Sequence, residues 1–215
     1  MPDLCAQLHT LMRSGKRFDF GMGYKSIPDN GIYIMFEKGE TAHEGDRIVL
    51  IGTNTGDKQL GNRIHQHFEE NKNRSIFRKN IGRCILNRNE NPYLATWELD
   101  TTARANKELY ADRINSELEA EIEKQISSYI QSNFSFCLFN IPAKEDRLYF
   151  KVRMIGTVSS CNKCHPSAEW LGLHSPVEEI RDSGLWQVRG LYKTPLSEED
   201  LVLVSELLVQ NPVGG

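Results

Sequence analysis

Three side chains have types and spacings that could do chemistry. Arg63 and His67 lie four residues apart, one turn of a helix, so they share a face. A guanidinium grips two phosphate oxygens with its planar fork. An imidazole one turn away can donate to the same phosphate or move a proton. Tyr33, in Gly31-Ile32-Tyr33, projects a phenol from an apolar run. Such a set suits hydrolysis of a phosphate ester, which needs an in-line water and positive charge where negative charge develops. Each residue also has a plainer reading. Tyr33 fits a half-buried strand aromatic, and His67 fits a surface helix histidine.

The elements that must position these groups follow from periodicity and turn chemistry. Leu4, Leu8 and Leu11 give a short helical pattern, followed by the glycine-rich Gly21-Met22-Gly23. Pro28-Asp29-Asn30-Gly31 signals a turn, and residues 32–36 read as a strand. The polar stretch Glu37–Asp46 reads as a hairpin loop, with residues 47–52 returning as a second strand. Helices are expected from about Leu60 through Phe68, over 75–86, and as one long helix over 107–130. In the last, Ile114, Leu118, Ile122, Ile126 and Ile130 form one apolar stripe, a packing face that could also support a homodimer. Phe134 to Ile141 has apolar residues on both faces and reads as a covered central strand. A helix over 143–158 should set Leu148, Val152 and Ile155 on one side. Residues 160–195 read as loop-rich, and Ser197-Glu198-Glu199-Asp200 opens a last helix.

The ordered set Gly31-Ile32-Tyr33, Leu50-Ile51-Gly52, Arg63 and His67 resembles the GIY-YIG nuclease family. The second motif departs from the family pattern, with Leu50 where a tyrosine is usual. The runs 67–83 and 170–186 resemble a prokaryotic, restriction-endonuclease-like branch. The resemblance implies an α/β (α+β) fold with a small three-stranded antiparallel sheet flanked by helices. On that basis residues 1–215 form one domain. Its core covers about 28–160, with a helical insertion at about 98–131 and a C-terminal extension at 161–215.

The family also implies a DNA endonuclease using Mg²⁺ or Mn²⁺, with Tyr33, Arg63 and His67 as catalytic residues. Its metal-binding Glu is expected on the helix after the third strand, where this chain has Lys151. A protonated lysine repels a divalent cation. Glu145 is a weak substitute, because it points to a different helix face. Three readings stay open: a carboxylate displaced to Glu145 or Asp146, an inactive DNA-binding form, or Lys151 contacting phosphate without a metal. A structural or partner-binding α/β domain is a further alternative.

Charge is uneven. The chain carries −3 overall, yet Lys58–Arg88 holds eight bases against two acids. Within it, Lys72, Arg74, Arg78, Lys79 and Arg83 are candidates for holding a DNA backbone. From Glu98 to Glu123 the sign reverses, with eight acids and three bases. The two stretches could equally be helices of opposite charge facing one another. The five scattered cysteines argue for reduced thiols and a cytoplasmic setting. No apolar run approaches a membrane span, and the N-terminus does not read as a signal peptide. Cys161-Asn162-Lys163-Cys164-His165 invites a zinc reading, but with only Cys137 or His174 to complete it, two thiols in a loop are expected instead.

Overall fold

The computed structural model describes residues 3–19, 27–69 and 71–210. The Gly21-Met22-Gly23 stretch lies outside them. Four antiparallel strands form one sheet: β1 (Arg17–Phe18), β2 (Gly31–Ala42), β3 (Gly45–Thr53) and β4 (Phe134–Asn140), in the order β1-β4-β2-β3. The sequence implied three strands. The fourth is the two-residue β1, too short to leave an alternating pattern.

The expected Glu37–Asp46 loop is instead strand on both sides of a two-residue turn, His43-Glu44. Two of its acids, Glu37 and Glu40, are buried rather than solvated. Glu37 accepts from the indole N–H groups of Trp170 and Trp186, each at 2.8 Å, and from Tyr129. Glu40 pairs with buried Arg47 at 2.6 Å and accepts from Ser167. Buried carboxylates persist only with such partners. Here the partners fasten the segment after residue 160 onto the hairpin.

The sheet is covered on both faces. Tyr33, Met35, Leu50, Phe134, Phe136 and Leu138 point into one core. They pack with α2 (Leu60–Phe68), α3 (Ile76–Arg88), α6 (Ser116–Asn133) and the two tryptophans. Ile32, Ile34, Ile51, Cys137 and Phe139 point into the other. That core includes α1 (Leu4–Arg13), α7 (Lys144–Ser159) and α9 (Glu198–Gln210). β4 is therefore covered and central, as its two apolar faces predict.

Two helix expectations need correction. The long helix over 107–130 is broken into α5 (Arg104–Leu109), a 3-10 turn at Ala111–Arg113, and α6. Asn115 accepts from the Leu118 N–H and so starts α6 afresh. Ile122, Ile126 and Ile130 are buried in the chain's own core. On α7 the buried side carries Phe150, Met154, Ile155 and Val158, whereas Val152 is 39% exposed. Between these lie the short helices α4 (Leu94–Trp97) and, later, α8 (Glu178–Ser183). At α9 the expected cap forms: Asp200 N–H donates to Ser197 Oγ, and Ser197 N–H returns to Asp200 Oδ2. Among the described residues, no helix is long and apolar enough to cross a membrane.

Candidate active site

Tyr33 and Gly52 are direct neighbours across β2 and β3. A Cβ at residue 52 would lie 2.0 Å from the Tyr33 ring, so only glycine lets the phenol cross there. The loop into α2 is fixed by amides. Asn54 accepts from Gly31 N–H and donates to Asn30 and to the Gly56 carbonyl, while Leu60 N–H donates to the Asp29 carbonyl. These bonds set the start of α2, and with it the position of Arg63 and His67.

The phenol and the imidazole meet. Tyr33 Oη lies 2.7 Å from His67 Nε2, and His67 Nδ1 lies 2.7 Å from Ser75 Oγ. Ser75 in turn caps α3 by accepting from Arg78 N–H. The sequence offered a surface histidine as the plain alternative, but His67 is 1% exposed and Tyr33 2%. Burial holds His67 well below its ordinary 6.5, and Arg63 and Arg78 push the same way. The imidazole is therefore neutral, with one nitrogen able to accept the phenol hydrogen bond. Burial raises the Tyr33 phenol, while Arg63 pulls it back down. The guanidinium is thus close enough to act on the phenol.

Lys151 belongs to the same neighbourhood. Burial lowers its ammonium from the ordinary 10.5, and the charges of Arg63 and Arg189 add to the effect. Arg63 donates to Gln66 and to the Arg74 carbonyl. Among the described residues, none of Arg63, Lys151 and Arg189 forms an ion pair with a carboxylate. Sequence reasoning did not single out Arg189; it lies in a loop without periodicity. The segment leading to it is anchored along the β3 edge, where Trp186 N–H donates to the Val49 carbonyl and Gln187 accepts from Ile51 N–H.

The divalent ion implied by the resemblance does not fit these residues. The expected carboxylate position holds Lys151, and two further cations act on it. Glu145 sits exposed in the first turn of α7. A hard cation needs oxygen ligands, and three positive side chains oppose it. Leu50, at the departed tyrosine position, is buried in the core that holds Tyr33, so it supplies no second phenol.

Most of the basic residues expected on DNA are engaged elsewhere. Lys72 and Arg78 are buried, pairing with Glu119 at 2.6 Å and Glu123 at 2.7 Å. Lys79 and Arg83 both reach Glu98. The acids come from the stretch of reversed charge, so the two stretches do face one another. Only Arg74 of the five is exposed, beside Arg63.

A family model described as a GIY-YIG domain matches residues 2–210. The chain belongs to the GIY-YIG nuclease family. Comparison with curated proteins and with solved structures gave no match.

Proposed function

We propose that the chain is a DNA endonuclease in which Lys151 supplies the positive charge that a carboxylate-held metal would bring. The observation that carries this reading is the phenol of Tyr33, held 2.7 Å from neutral His67, with Arg63 close enough to lower its pKa. A scissile phosphate is gripped by Arg63 and Lys151. A water attacks phosphorus in line, giving its proton to Tyr33 Oη as the phenol proton moves to His67 Nε2, whose depressed basicity the negative charge of the bound phosphate restores. The P–O bond to the leaving sugar breaks, and the departing alkoxide takes a proton from the Lys151 ammonium. A lysine with a lowered pKa is a better acid for that transfer. Arg63 stabilises the charge on the phosphoryl oxygens throughout.

The test is nicking of supercoiled plasmid in excess chelator. Wild type is expected to nick, and Tyr33→Phe, Arg63→Ala and Lys151→Ala to lose the activity. A second reading, DNA binding without cleavage, draws on the same lysine. It takes over if wild type binds DNA in a salt-sensitive way but never nicks, with chelator, Mg²⁺ or Mn²⁺, while Lys151→Glu gains Mg²⁺-dependent nicking. Absence of DNA binding at low salt would remove both.

A further inference from the structure

In the second core, three thiols and an imidazole converge. Cys5 lies in the first turn of α1, His43 at the tip of the β2–β3 hairpin, and Cys161 and Cys164 just beyond α7. Their four donor atoms all lie within 4.8 Å of one another. We propose that Cys5, His43, Cys161 and Cys164 hold a structural zinc ion.

The spacing fits. Tetrahedral zinc, with bonds of about 2.3 Å to sulfur and about 2.0 Å to nitrogen, sets its ligand atoms roughly 3.5–3.8 Å apart. Cys5 Sγ lies 3.4 Å from Cys164 Sγ. His43 Nε2 lies 3.2 Å from Cys164 Sγ and 3.5 Å from Cys161 Sγ. These distances are near the edges of such a tetrahedron, and the sulfur pair is well beyond the roughly 2.05 Å of a disulfide.

The surroundings fit as well. His43 Nδ1 faces Asp3 Oδ2 at 3.8 Å, longer than a hydrogen bond but on the side where an outer carboxylate would orient a metal-bound histidine. Asp3 is itself held by Ala6 N–H and by the Lys163 ammonium, each at 3.0 Å. The Lys163 backbone N–H donates to Cys161 Sγ at 3.4 Å. His43 and Glu44 both have left-handed backbone, with φ 50° and 62°. A two-residue turn of that kind favours Asn and Gly. The turn at His43 places its Nε2 against the thiols.

Buried His9 is close but not a ligand. Its Nε2 accepts from Ile48 N–H at 3.2 Å, and its Nδ1 bonds the Cys5 carbonyl at 2.9 Å, so no lone pair remains. Cys137, one completing residue the sequence suggested, donates instead to the Gly15 carbonyl from β4. His174, the other, is exposed in the 3-10 turn Leu171–His174 and is not among the four converging donors. On zinc entry three thiol protons leave to solvent, and the site keeps a net charge of −1 beside Lys163. The ion would tie α1, the hairpin and the end of α7, which are far apart along the chain.

Elemental analysis of the purified full-length chain should find about one zinc per molecule. Cys161→Ser, at the half-exposed ligand, and His43→Ala should each lose it, while Cys137→Ser keeps it. Loading wild type with Co²⁺ should give the thiolate charge-transfer band and intense visible absorption of a tetrahedral site. The proposal is overturned if folded wild type takes up neither metal, or if zinc survives both ligand substitutions. A Cys5–Cys164 or Cys161–Cys164 disulfide after air-free purification overturns it equally.

Discussion

Two groups of cations in this chain sit in opposite circumstances. Lys72, Arg78, Lys79 and Arg83 each end on a carboxylate of Glu98, Glu119 or Glu123. Arg63, Lys151 and Arg189, near the Tyr33–His67 pair, form no ion pair among the described residues. The first group is the denser along the sequence, yet it holds helices together. The second is scattered over residues 63, 151 and 189, yet its charge is uncompensated. Basic density along a chain does not by itself mark an anion site; charge left without a partner is the better candidate.

The sharpest way to break this contrast is at the phenol. Tyr33→Phe should cut nicking by about 10²- to 10⁴-fold, the usual worth of a positioned proton acceptor. The fold should survive, since the ring stays packed over Gly52. A variant nicking at the wild-type rate would remove Tyr33 from the reaction. Arg78→Ala should act on stability instead. Breaking a buried pair strands the partner charge, at a cost of about 3–5 kcal/mol in denaturant unfolding. Lys151→Ala should leave stability within about 0.5 kcal/mol or raise it, because its charge has no partner to lose.

Smaller effects sharpen the contrast further. His67 has a folded pKa below its unfolded 6.5, so the unfolded chain binds the extra proton first. Its contribution to stability is complete above about pH 6.5, falls as the pH drops below that value, and is gone at the folded pKa. Thermal midpoints measured across that range should flatten in His67→Gln. At the alkaline end, nicking should fall before pH 10.5 as Lys151 loses its proton. A rate that holds beyond that pH would rule out an acid role for Lys151.

Much of this was legible in the residues. Gly31-Ile32-Tyr33, Gly52 and the Arg63–His67 spacing gave the strand pair and the helix that carries Arg63 and His67. What stayed hidden depends on contacts between distant segments. Glu37 and Glu40 look like loop acids until tryptophans and an arginine from elsewhere satisfy them. The pairing of Arg78 with Glu123 needs α6 folded against α3, and the only hint was the reversal of charge. Cys5 and His43 could not be joined to Cys161 and Cys164 by spacing, because nothing in the polar residues around His43 marks it as a hairpin tip. The break before α6 was within reach, since Asn115 is a good cap, but the four-residue repeat from Ile114 masked it.

The most direct measurement is the salt dependence of binding to a short DNA duplex. Each phosphate contact contributes about 0.9 to the slope of log affinity against log salt. The double variant Lys151→Ala/Arg189→Ala should lower that slope by about two, and Lys79→Ala/Arg83→Ala should leave it unchanged. The reverse outcome would put DNA on α3 and contradict the assignment of Tyr33 and its cations as the phosphate site.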